Sequence, residues 1–254
     1  MRIDWSQLSP PERVLWDAGV TEPGHIDLAH VAAAHGAIVV YRQLDGCAAR
    51  LVASSSGAVI SVNSGDYPGR KRFSLAHELA HWISDRKTGS FLCAKADIGA
   101  QNAEAKSVEA HANAFASQLI LPDYLVTPWA EGKKANLDVA SALANDFKVS
   151  RTAAAIKLTK RSALPVCVAC HDQSRLKWHV RNAAFGSDFY VKPELHQDTD
   201  AFTMAYGGGG GKSQPKKEAA DRWISGSGAY RMTAQTQSLK LPDGTVLTII
   251  SLVK

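Results

Sequence analysis

No run of about eighteen consecutive apolar residues occurs in the 254-residue chain, so the sequence predicts no membrane-spanning helix. Its first residues, Met1-Arg-Ile-Asp-Trp-Ser6, lack the apolar core and cleavage site of a secretion signal, and the expected compartment is the cytoplasm. Cysteine is scarce. The four, Cys47, Cys93, Cys167 and Cys170, are expected as reduced thiols in a chain without such a signal. No internal repeat is present. Nor does one sign of charge dominate: the net charge is +5, residues 1–163 hold 18 basic and 16 acidic side chains, and residues 164–254 hold 11 and 8. Weak attraction to nucleic acid is compatible with this balance, but no broad basic domain stands out. What remains is ordinary globular composition, 45% apolar and 21% charged, long enough for one large domain or a few small ones.

Three regions follow from the local patterns. Within residues 1–130, Asp27–His35 reads as a helix stopped by Gly36. Strand-like runs come next at Ala37–Tyr41, Ala49–Ala53 and Ala58–Asn63, with Ser54-Ser-Ser-Gly57 as a hairpin turn. Two helices are predicted near 72–84 and 103–121, the second ended by Pro122. Residues 131–163 read as wholly helical. Residues 164–254 shift to strand and turn signals, with Pro242-Asp-Gly244 leading into the buried-strand run 245–253. Gly207 to Gly211 reads as a flexible tract.

The chemistry-bearing stretch is Phe73-Ser-Leu-Ala-His77-Glu78-Leu-Ala-His81-Trp-Ile-Ser84. Residues four apart share one helix face, so His77 and His81 can present their imidazoles to a single ion. At about 100° per residue, Leu75, Leu79 and Trp82 gather on the opposite side and anchor the helix. Zinc suits two imidazoles and a carboxylate with one position left for water, although manganese or iron accepts the same ligands. Glu78 is too far around the wheel to join the histidines as a ligand, yet close enough to act as the general base. The competing reading is an amphipathic helix with two surface histidines.

The helix Ala103–Leu121 supplies candidates for a third ligand. Val108, Ala112, Phe115 and Leu119 form its expected core stripe, flanked by Glu109 and Asn113. His111 projects about 160° from Glu109 around the wheel, so the two are not expected to bind one ion. Glu109 is the expected ligand, His111 the alternative, and Asn113 a group that can orient a ligand. Without the upstream motif, a solvated face carrying Glu104, Lys106 and Glu109 is the better reading.

Arg72-Phe-Ser-Leu-Ala-His-Glu-Leu-Ala-His81 together with Glu109-Ala-His-Ala-Asn-Ala-Phe-Ala-Ser-Gln-Leu-Ile-Leu-Pro122 resembles the ImmA/IrrE family of metallopeptidases, over roughly residues 10–163. The resemblance implies that His77, His81 and Glu109 bind zinc and that Glu78 is the catalytic glutamate. Two positions depart from the family pattern: His111 stands where a second glutamate is usual, and Ala80 where a glycine is usual. The expected fold class is α+β: a zincin-like metallopeptidase domain at 1–130 with a small antiparallel sheet and active-site helices, a helix-turn-helix-like extension at 131–163, and a β-rich domain at 164–254 for sensing or partner docking. The resemblance also implies a zinc endopeptidase that cleaves a partner DNA-binding repressor, releasing stress-response or mobile-element genes.

Other patterns have plainer readings. Asn136–Arg161 resembles a helix-turn-helix made basic by Lys148, Arg151, Lys157, Lys160 and Arg161, and a structural or repressor-contacting role is favoured over DNA reading. Cys167-Val-Ala-Cys170-His171 spells a haem-attachment motif but is read as two buried strand cysteines. Gly207–Ser213 imitates a phosphate loop, yet Tyr206 replaces its first glycine and Pro215 disrupts the helix that should follow. Two rival functions stand beside the peptidase: a DNA-binding regulator with a structural zinc, and a module that binds a repressor or antitoxin without cutting it.

Overall fold

The computed structural model describes residues 3–85, 103–207 and 210–253. Cys93 and part of the Gly207–Gly211 tract therefore lie outside the described residues. The chain is mixed α and β, and it clusters into two compact units. The first comprises Met1–Trp129 and Asn145–Ser150; the second comprises Ala130–Ala144 and Arg151–Lys254.

The first unit opens with α1 (Pro10–Asp17) and α2 (Leu28–Ala34). Glu12 closes a capping box on α1, accepting from the Ser9 backbone N–H at 2.9 Å and the Ser9 hydroxyl at 2.6 Å. Its other oxygen accepts the Tyr124 N–H at 3.1 Å, so this buried carboxylate is satisfied on both sides. Asp27 caps α2 through the N–H groups of Ala29 and His30. Three strands follow: β1 (Ala37–Arg42), β2 (Ala49–Ser54) and β3 (Gly57–Asn63), in the order β1-β3-β2. The β2–β3 pair is the expected hairpin, with Ser54 opposite Gly57. A side chain at Gly57 would meet the Gly36 carbonyl oxygen at 2.8 Å, which fixes glycine there.

The sequence predicts an antiparallel sheet, and the observed one is mixed. β3 lies between β1 and β2, so β1 runs parallel to β3 while β2 runs antiparallel to it. A hairpin signal fixes only the pair it joins; the placement of β1 depends on the crossover before β2.

The long helices α3 (Pro68–Asp85) and α4 (Ala103–Ile120) pack on each other, and α3 also packs on β2 and β3. Pro68 opens α3, where its missing N–H costs nothing. Leu75, Leu79 and Trp82 are buried as the wheel predicts, with Ile60 and Val62 of the sheet also buried. Burying each such side chain is worth about 1.5–3 kcal/mol. α4 ends before Pro122, and α5 (Asp123–Ala130) follows.

The second unit holds most of α6 (Leu137–Phe147), all of α7 (Arg151–Arg161) and the C-terminal strands. The stretch expected to be wholly helical contains a non-helical start at 131–136. Gly132 sits at φ +72° and breaks the run, and the Asn136 side chain caps α6 by accepting the Val139 N–H at 2.8 Å. β4 (Val166–His171) and β5 (Leu176–Arg181) pair antiparallel as a hairpin. Then come β6 (Tyr190–Val191), α8 (Asp200–Tyr206), β7 (Lys216–Ala219), β8 (Ile224–Ser225), β9 (Thr233–Lys240) and β10 (Val246–Val253). The main sheet runs β5-β4-β10-β9-β7.

One face of that sheet packs on α8, where Ala201 and Ala205 meet Cys167, Ala169, Val246 and Ile250. The start of α6 reaches the opposite face. There Gln237, paired with Ile249, accepts the Leu137 N–H at 2.8 Å and donates to Asp138 at 3.1 Å. α7 packs on β4 and β5. No helix among the described residues is long and apolar enough to cross a membrane.

Candidate metal centre

Two hydrogen bonds fix α3 beneath the site. The buried Trp82 indole donates to the His35 carbonyl at 2.8 Å, and Arg72 donates to the Ile26 carbonyl at 3.0 Å. Burial lowers the Arg72 pKa, a cost partly offset by the nearby charge of Asp27. The wheel marked Trp82 only as an anchor and gave Arg72 no role; their carbonyl partners lie 47 and 46 positions away and left no local signal.

With its apolar side held, α3 turns His77 and His81 toward α4. The two Nε2 atoms lie 3.1 Å apart, with the rings edge to face. Glu109 presents one carboxylate oxygen to each imidazole, 3.4 Å from His77 Nε2 and 3.4 Å from His81 Nε2. These three residues offer donor atoms all within 4.8 Å of one another, and they are the one such group among the described residues. His81 is buried, His77 half-buried and Glu109 exposed, so the cluster opens to solvent on the α4 side. Asn113 Oδ1 lies 3.1 Å from His77 Nδ1. Glu78, one residue beyond His77, is buried.

Two imidazoles and a carboxylate suit a divalent ion. The donor atoms are also close enough to share one ion: the two imidazole nitrogens are 3.1 Å apart, and each faces a carboxylate oxygen of Glu109 at 3.4 Å.

His111 is not brought to this cluster. It is exposed and lies beside Phe115, ring centroids 6.4 Å apart. The core stripe of α4 runs through Ala112, Phe115 and Leu119, but Val108 is 41% exposed. The stripe thus starts one turn later than the sequence suggests. The side chain of Glu104, placed on the solvated face, lies outside the described residues.

Cys167 and Cys170 are buried on β4 and, like Cys47, free. Burial pushes the Cys167 thiol up to about 12, against a smaller opposing influence from Arg181.

No curated protein matches the chain. Among solved structures, a "Mycobacterium tuberculosis transcriptional regulator" superposes with a TM-score of 0.61 over 95% of this chain and 74% of that one, at 15% identity. That likeness concerns the fold. The peptidase M78 family, described as an IrrE N-terminal-like domain, matches residues 32–159, which include both helices of the cluster. The match covers just over half of the sequence, and the chain belongs to this metallopeptidase family.

Proposed function

We propose that the protein is a zinc-dependent endopeptidase acting in the cytoplasm on a partner transcriptional repressor, and that its cleavage releases stress-response or mobile-element genes. The observation that carries this reading is the convergence of His77, His81 and Glu109 from two packed helices onto one point. These three residues would hold the ion. When bound, a divalent ion would supply Lewis acidity toward the scissile carbonyl and make water easier to deprotonate. Glu78 takes the proton from the attacking water and returns it to the leaving amine. Its burial keeps bulk water from competing for that proton. The β-rich C-terminal region, by its position in the chain, is proposed to sense a signal or dock the repressor.

A second reading is a zinc-containing regulator that binds DNA or a repressor without cutting it. It draws on the exposed basic residues Lys148, Arg151 and Lys160 and on the likeness in fold to a mycobacterial transcriptional regulator. The packing of α7 on β4 and β5 weighs against DNA reading, because Ala154, Ala155 and Leu158 are committed to the interior.

The deciding experiment compares new protein N-termini in host cells expressing wild type or Glu78→Gln, at rest and under stress. A repressor fragment seen only with wild type is the expected result. Identical N-terminal profiles from two folded, zinc-loaded proteins would reject proteolysis in favour of the regulator.

A further inference from the structure

We propose that Asn113 is a positioning residue that locks His77 into its metal-binding tautomer through a neutral amide, and so sets how tightly the site holds zinc. The inference rests on the zinc reading above. A neutral imidazole carries one hydrogen on either Nδ1 or Nε2. His77 points Nε2 at His81 and Glu109 and Nδ1 at Asn113 Oδ1, 3.1 Å away. An amide oxygen only accepts, so the hydrogen belongs on Nδ1 and the lone pair on Nε2, facing the cluster. The same contact limits rotation of the ring about its χ2 bond.

Asn113 stands on α4 one turn beyond Glu109, so a single helix supplies both a ligand and the group that orients a ligand on α3. The choice of an amide has a further effect. Two neutral imidazoles and Glu109 give the donor set one negative charge. A carboxylate at position 113 would place a second negative charge behind His77, make the imidazole a stronger donor and tighten zinc. Asparagine supplies orientation without that charge, leaving the ion more electrophilic and more readily exchanged.

The test uses the full-length protein and its Asn113→Ala and Asn113→Asp variants. Asn113 is exposed, so both changes leave the core intact. Nitrogen NMR of the metal-free wild type is expected to show His77 with its hydrogen on Nδ1, and Asn113→Ala is expected to lose that preference. Competition with a chelator is expected to show zinc held about tenfold or more weakly by Asn113→Ala, and at least as tightly as wild type by Asn113→Asp. An Nε2–H tautomer in the wild type, unchanged zinc affinity in Asn113→Ala, or a loss in Asn113→Asp as large as in the alanine variant would each overturn the assignment. If wild type binds no zinc, the zinc reading falls and the affinity role of Asn113 falls with it, while the tautomer of the metal-free protein still shows whether Asn113 orients the His77 ring.

Discussion

Glu109 and His111 sit two residues apart on one helix, and Glu109 is the one that joins the His77–His81 cluster. Glu109 lies 3.4 Å from both imidazoles, while His111 stands apart beside Phe115. Both are exposed, so replacing either with alanine should barely alter the stability of the metal-free protein. Added zinc is what separates them. At a free concentration of about 100 times the wild-type Kd, binding stabilises the native state by about 2.7 kcal/mol. If losing the carboxylate weakens zinc about 100-fold, the same concentration only matches the new Kd, and the stabilisation falls to roughly 0.4 kcal/mol. His111→Ala should keep the whole effect. Denaturant unfolding with and without zinc measures all three proteins. A full zinc effect in Glu109→Ala, or its loss in His111→Ala, would refute the assignment.

Glu78→Gln keeps the shape of the side chain and leaves the three donors untouched. It should retain zinc stabilisation while peptide cleavage falls by about 10²- to 10⁴-fold; wild-type cleavage by this variant would remove Glu78 from the chemistry. Trp82→Phe deletes the indole N–H that the His35 carbonyl accepts, and equilibrium unfolding should show a loss of about 1–3 kcal/mol. His171 is buried on β4, donates Nε2–H to the Lys192 carbonyl at 3.2 Å, and has its pKa lowered from 6.5 chiefly by burial. The unfolded chain therefore binds this proton first, and stability should drop as pH falls below 6.5, by at most about 1.4 kcal/mol per pH unit for one proton. His171→Gln should flatten that slope in denaturant titrations, and an unchanged slope would assign the effect elsewhere. Alkylation read by mass spectrometry should modify half-buried Cys47 in the native protein and spare Cys167, whose thiol is buried and hard to ionise.

Local patterns made much of this structure legible. The helical period placed Leu75, Leu79 and Trp82 inside and turned His77 and His81 the other way, and the strand runs gave β1, β2 and β3 nearly to their ends. The same wheel separated Glu109 from His111 on periodicity alone. What was hidden depends on distant partners. The parallel pairing of β1 with β3 follows from a crossover without a composition signal. Val108 lies on the apolar line of α4 but stays 41% exposed, and the period of a helix does not tell how far along it a partner packs. The partners of Trp82 and Arg72 are backbone carbonyls, which every residue carries and no motif marks.

The family match ends at residue 159, inside α7, yet α7 and the start of α6 are packed with the C-terminal sheet. What is inherited as one stretch of sequence is therefore not what folds as one body. A gene cut at residue 159 would encode the helices that carry His77, His81 and Glu109 together with orphaned parts of another core, among them Leu137 without Gln237 and Leu158 without β4 and β5 behind its helix. Any fusion, truncation or recombination between relatives that respects the sequence boundary would leave apolar surface bare, and this coupling gives selection a physical reason to pass both units on together.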